Sequence, residues 1–235
     1  MQRPVIFDLF HTLLDGADGE RDRVIGEMAV ELGIPQQDLV AAYHGSWRER
    51  LIGWDVEQTI ETLAGRLGYR PTDTQVTRAA ALRRAFAIRS LGRASMATLT
   101  VLDKLRADGH PLALLSNAAA ETAAAWVESR LAPRFDVTVF SCAVGFAKPD
   151  PESYHAAAAR LGVPPETCVF VGDGADGELA GAAAVGMWVL RTVEHRDTDP
   201  SWDGPVLSDL GELPALLSGA GVAKGPASDG GRSPR

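Results

Sequence analysis

The sequence is poor in the features that mark secreted, membrane or nucleic-acid-binding proteins. Only two cysteines occur, Cys142 and Cys168, each in an apolar run and with no C-x-x-C or metal-ligand spacing. They read as reduced core thiols, which excludes a disulfide framework or a zinc site. No run approaches the ~18 apolar residues of a membrane-spanning helix, and no basic segment followed by an apolar stretch opens the chain. Positive charge is in the minority: 23 Lys and Arg face 31 Asp and Glu, a formal net charge of −8. That balance disfavours nucleic acid and anionic membranes as main partners. A small anionic metabolite is not excluded, because a local cluster of donors can outweigh the global field. No internal repeat is evident. The expectation is a cytoplasmic protein, monomer or homodimer.

What is present is an ordinary globular balance, 46% hydrophobic and 23% charged over 235 residues, enough for one large domain or a core with an insertion. The apolar run Val5-Ile6-Phe7 ends in Asp8 and a short polar turn, so a buried strand would carry a carboxylate at its end. Helical periodicity then takes over at 21–32, 37–52, 55–67 and about 72–91, separated by Gly33, Gly53 and Gly68. Nothing between Gly16 and Gly92 reads as a buried strand. From Ala97 onward helices alternate with strand-like runs at 111–115, 137–140, 168–171 and 187–190. The alanine-rich stretch 119–131 predicts a helix on propensity. Alternation of this kind implies a parallel sheet covered by helices on both faces. Residues 218–235, rich in Gly, Ser, Pro and Ala, are expected to form a disordered tail.

Four polar positions follow strand-like runs or the loops beyond them: Asp8, Ser116, Lys148 and Asp173. Each alone has a structural explanation, as a turn residue, a helix cap or a solvated lysine. Together they suggest more, because parallel topology brings successive strand ends to one edge of the sheet.

The segments Asp8-Leu9-Phe10-His11-Thr12-Leu13, Ser116-Asn117, Lys148-Pro149 and Gly172-Asp173 resemble, in order, the four motifs of the haloacid dehalogenase-like hydrolases. Gly181-Ala182 and Gly186-Met187 match supporting segments of that family. The resemblance implies a Rossmann-like α/β core from 1–14 and 94–217, with 15–93 as an inserted α-helical cap. It implies Asp8 as nucleophile, and Mg²⁺ held by Asp8, the Phe10 carbonyl, Asp173 and a further acidic residue, with Glu178 favoured over Asp176. Lys148 would neutralise charge, and Thr12 and Ser116 would donate to the transferring group, with Asn117 nearby. Arg48, Arg50 and Trp54 of the cap would contact substrate. Hard oxygen ligands suit Mg²⁺, and positioning plus electrostatics is most of what phosphoryl transfer requires.

The first motif departs from the family's usual Asp-x-Asp-Gly-Thr, because Phe10 replaces the second Asp and His11 the glycine. Phenylalanine can neither protonate a leaving group nor activate water. Three explanations compete: a leaving group that needs no proton, His11 as a substitute acid–base group, or chemistry other than phosphoryl transfer. The family's metal-independent 2-haloacid dehalogenases resemble this chain in an aromatic residue at position 10 and in Tyr154. Helical spacing with Ala158 and Leu161 explains Tyr154 equally well by packing. The retained Asp173 favours a phosphatase on a small phosphorylated metabolite. A dehalogenase, or a catalytically weak binding protein, are the alternatives.

Overall fold

The computed structural model describes residues 2–219. Its centre is a six-stranded parallel sheet in the order β3-β2-β1-β4-β5-β6. The strands are β1 (Val5–Phe7), β2 (Leu112–Ser116), β3 (Val137–Phe140), β4 (Val169–Gly172), β5 (Trp188–Thr192) and β6 (Val206–Leu207). β1 lies between β2 and β4, with Phe7 opposite Leu114 on one side and Val171 on the other. Strand order reverses about β1, and a crevice opens at such a switch point beyond the carboxyl ends of the strands.

Alternation along the strands sorts the core into two layers. Val5, Phe7, Leu112, Leu114, Val169, Val171 and Leu190 share one cluster with Leu99, Leu102 and Leu105 of α6 (Met96–Ala107). Ile6, Ala113, Leu115, Val139, Phe170 and Val189 share another with Tyr154 and Ala157 of α9 (Pro151–Leu161) and Leu179 and Ala182 of α10 (Glu178–Ala184). Helices therefore cover both faces, and β1 is fully buried.

Five helices follow β1: α1 (Asp18–Leu32), α2 (Gln36–Gly45), α3 (Trp47–Gly53), α4 (Val56–Arg66) and α5 (Asp73–Leu91). Their apolar stripes converge on a core of their own, which includes Ile25, Met28, Leu39, Ile60, Leu63, Ala80 and Phe86. Asp55 caps α4, and Thr72 with Gln75 forms a capping box on α5.

Several boundaries differ from the sequence reading. The helix expected over 37–52 is two helices, because Ser46 leaves helical geometry and its hydroxyl bonds the Tyr43 carbonyl at 3.1 Å. The alanine-rich helix α7 (Ala120–Trp126) ends early, where the Trp126 ring packs against Phe135 and Phe140; tertiary packing overrides propensity there. A one-turn helix α8 (Ser141–Val144) and the edge strand β6 had no periodic signal. Ser218 and Gly219, assigned to the tail, instead end α11 (Leu213–Gly219), and the rest of that tail lies outside the described residues. Cys168 is buried, but Cys142 is only partly so.

Candidate active site

The four motif positions meet where the switch point predicts. Asp8 follows the last residue of β1, Ser116 ends β2, Asp173 follows the last residue of β4, and Glu178 opens α10. Lys148, in the loop between α8 and α9, reaches in with its ammonium group between two carboxylates. Its Nζ donates to Asp8 Oδ1, and to Glu178 Oε2 at 2.5 Å. The side chains are almost wholly buried: Asp8 is 7% exposed, Lys148 2%, Glu178 1% and Asp173 0%. Ligand atoms of Asp8, Asp173 and Glu178 all lie within 4.8 Å of one another.

Local structure fixes each group. Asn117 clamps the lysine's backbone, its Nδ2 donating to the Lys148 carbonyl at 2.9 Å and its Oδ1 accepting the Lys148 N–H at 2.7 Å. Glu178 Oε1 accepts the Gly174 N–H at 3.1 Å, and the Tyr154 hydroxyl donates to the Glu178 carbonyl at 2.7 Å. Glycine at 172 leaves room for the Glu178 carboxylate, since a Cβ there would lie 2.1 Å from Glu178 Oε1 and would displace it. Asp176, the rival for the third acidic position, lines the cavity outside this cluster, while Glu178 is inside it.

Two carboxylates share the Lys148 ammonium and a third, Asp173, adjoins them, and the electrostatics show the excess. Burial pushes the Glu178 carboxyl up to about 8, against Lys148 and with the help of Asp8 and Asp173. Burial likewise raises Asp8, opposed by Lys148 and reinforced by Asp173. Burial alone would lower the lysine, but Asp8 and Glu178 outweigh it and hold it cationic. The hydroxyls of Thr12 and Ser116 are buried with no partner among the described residues. An all-oxygen, over-acidic cluster fits a hard divalent cation, and the two orphaned hydroxyls, in the turn after β1 and at the end of β2, are donors that still lack an acceptor.

A cavity of about 460 Å³ extends from these groups up to the helical block. Asp8, Phe10, Asn117, Lys148, Asp173 and Glu178 line its floor-side, and Tyr43, Trp47, Arg50, Leu51, Arg83 and Phe86 come from α2, α3 and α5. Of the three cap residues expected to contact substrate, only Arg50 does line it. Arg48 is committed elsewhere, its Nη2 donating to both Asp150 oxygens at 2.8 and 2.6 Å. Trp54 packs with the helical core under the Arg66 guanidinium, 5.0 Å from its ring centroid. His11 borders the cavity, yet both ring nitrogens face protein groups. Nδ1 accepts the Gly16 N–H at 3.4 Å and Nε2 lies 3.3 Å from Asp18. A Cβ at Gly16 would sit 2.3 Å from the ring. These contacts make His11 a fastening of the turn into α1 and leave no free nitrogen for acid–base work.

Sequence reasoning missed Arg83 and Thr198. Arg83 is 5% exposed, its Nε and Nη2 donating to Glu121 of α7 at 3.1 and 2.6 Å while Nη1 has no partner among the described residues. The signal was available: Arg83 falls on the stripe Val76-Ala79-Ala80-Arg83-Phe86-Ala87, a charge where the helix buries its apolar face. The Arg50 guanidinium, 3.6 Å from the Tyr43 ring centroid, and Arg83 at 5.3 Å share that ring.

A sequence model described as haloacid dehalogenase-like hydrolase matches residues 3–186. The chain is 30% identical over 204 residues to a phosphoglycolate phosphatase from Salmonella paratyphi A, covering 79% of this chain and 81% of that one. It spans less than half the length of three further curated phosphatases that it matches, 37%, 32% and 46%. Among solved structures, a 2-haloacid dehalogenase from Pseudomonas syringae pv. Tomato aligns with TM-score 0.68 at 23% identity, over 93% of this chain and 99% of that one. A phosphatase of the same family from Thermococcus onnurineus aligns with TM-score 0.65 at 20% identity, over 92% and 98%. Both likenesses describe the fold.

Proposed function

Because the chain belongs to the haloacid dehalogenase-like hydrolases, we propose that it is a Mg²⁺-dependent phosphatase of small anionic metabolites, with Asp8 as nucleophile. The observation that carries this reading is the buried trio Asp8, Asp173 and Glu178, in which, among the described residues, Lys148 pairs with Asp8 and Glu178 and no cation pairs with Asp173. Buried charge without compensation is costly, and the oxygen donor set suits Mg²⁺. Asp8, Asp173, Glu178 and the Phe10 carbonyl would hold the ion, which when bound neutralises the nucleophile and the phosphoryl oxygens.

The chain's own groups do the rest. Asp8 attacks phosphorus as the bond to the leaving oxygen breaks, so that a carboxylate or alkoxide departs as an anion. Water then attacks the phosphorus of the aspartyl phosphate, releasing inorganic phosphate and regenerating the Asp8 carboxylate. Lys148 neutralises charge on the nucleophile and the transferring group, and the orphaned Thr12 and Ser116 hydroxyls are free to donate to the transferring oxygens. Asn117 acts on Lys148 by holding its backbone. The helices of 15–93 act as the cap, tied to the remainder by Arg48–Asp150 and Arg83–Glu121. The unpartnered Arg83 Nη1, with Arg50 beside it, gives the cavity a cationic wall for the anionic body of the substrate.

Phe10 lines the cavity and supplies no acid, which favours substrates with good leaving groups such as acyl phosphates. The same phenyl group supports a second reading, expulsion of halide from a 2-haloacid, which needs neither acid nor metal. Against it, the Tyr154 hydroxyl is spent on the Glu178 carbonyl, and Asp173 and Glu178 add to Asp8 the oxygen donors that a metal needs and halide expulsion does not. Metal-stripped protein incubated with acyl phosphates, phosphomonoesters and 2-haloacids separates the two. Phosphate release that requires added Mg²⁺ is the expected result, whereas halide release in EDTA would overturn it.

A further inference from the structure

The segment between β5 and β6 carries no recognisable motif, yet it is fastened around the site at several points. Arg191, in β5 and 8% exposed, grips it on both sides of Thr198: its Nη1 donates to the Asp197 carboxylate and, at 2.6 Å, to the Asp199 carbonyl. Arg196 Nη1 donates to Asp18 Oδ2 at 2.8 Å, at the start of α1. Glycine at 174 lets the segment approach, because a Cβ there would lie 2.5 Å from the Cβ of Asp199. Held in this way, Thr198 lines the cavity and its hydroxyl donates to Asp173 Oδ2 at 2.5 Å. The other carboxylate oxygen of Asp173 accepts the Ala175 N–H at 3.3 Å.

We propose that Thr198 is a positioning residue for Asp173, setting the orientation in which that carboxylate receives the cation. The inference rests on the reading of Asp173 as a metal ligand. A carboxylate held by one donor can still swing about its own axis, whereas two donors from separate segments stop that rotation. Each oxygen keeps a further lone pair for the ion. Hydrogen bonds to the far side of a ligating carboxylate tune affinity, and their loss typically weakens metal binding 10–100-fold. The Arg191 clamp explains why a residue so far along the chain holds this place.

The test is a calorimetric titration of Mg²⁺ into the metal-stripped full chain, a readout that needs no substrate. Thr198→Val and Thr198→Ala, which both remove the hydroxyl, are expected to weaken binding about tenfold or more. Thr198→Ser is expected to restore wild-type affinity, and the metal-free proteins should melt alike, as a purely structural role would not predict. Affinity in Thr198→Val and Thr198→Ala equal to or tighter than wild type would overturn the inference and leave the metal site standing. Absence of Mg²⁺ binding by the wild type would overturn the metal reading, and this inference with it.

Discussion

Position 10 is where a single side chain bears most on the chemistry. A phenyl ring borders the cavity beside Asp8, and neither His11 nitrogen is free to replace a missing proton donor. Phe10→Asp should therefore raise kcat/KM for alkyl phosphates, whose leaving alkoxides need a proton, by about 10²-fold or more, as general acid catalysis contributes about 10²–10⁴. Acyl phosphates should gain little. Equal effects on both substrate types in a leaving-group series would show that proton donation is not what the wild type lacks. This residue and its neighbours were readable from sequence, because Asp8, Ser116, Lys148 and Asp173 each close a strand or the loop beyond it. Arg83 was readable in principle as a charge on an apolar stripe. Thr198 was not, since a hydroxyl in an irregular segment has no periodicity to break.

Elements decide what the cavity wall can offer. The break at Ser46 turns α3 away from α2, and Arg50 then folds back to donate from Nε and Nη2 to the Tyr43 carbonyl at 3.3 and 3.2 Å. A continuous helix, as periodicity suggests for 37–52, would have denied that carbonyl to the arginine. Between α5 and α7, Arg83 and Glu121 form a pair 6% and 3% exposed at the side chain. Arg83→Met leaves Glu121 buried without a counter-charge and should destabilise the fold by about 3–5 kcal/mol. The double change Arg83→Met with Glu121→Leu should recover most of that loss in urea denaturation. A single variant as stable as wild type would contradict burial of the pair. Five of the six strands were legible to within a residue or two, as runs of apolar residues bounded by turn signals, and the short edge strand β6 was not. The early end of α7 was not, because the contacts of Trp126 with Phe135 and Phe140 are made across the fold and leave no local trace.

For the molecule as a whole, the over-acidic site couples stability to pH and to the cation. Without metal, burial pushes the Glu178 carboxyl up to about 8 from its ordinary 4.5. A carboxyl raised on folding favours the native state while protonated, so its contribution is full below about 4.5 and lost as pH rises toward 8. Asp8, raised by burial, acts in the same direction. In EDTA the melting temperature should fall between pH 5 and 8, and Mg²⁺ should flatten that fall by stabilising the ionised cluster. A metal-free melting temperature that rises across this interval would contradict the assignment. The net charge of −8 gave no hint of this local problem, which arises only when three distant acids meet. No helix among the described residues is long and apolar enough to cross a membrane.

Asp8→Asn is the variant on which the account turns, because it keeps the size of the side chain and removes the attacking oxygen's charge. Phosphate release by this variant, measured with saturating Mg²⁺ alongside circular dichroism, should fall by at least about 10³-fold with the spectrum unchanged. Turnover within a few-fold of wild type would contradict Asp8 as the nucleophile.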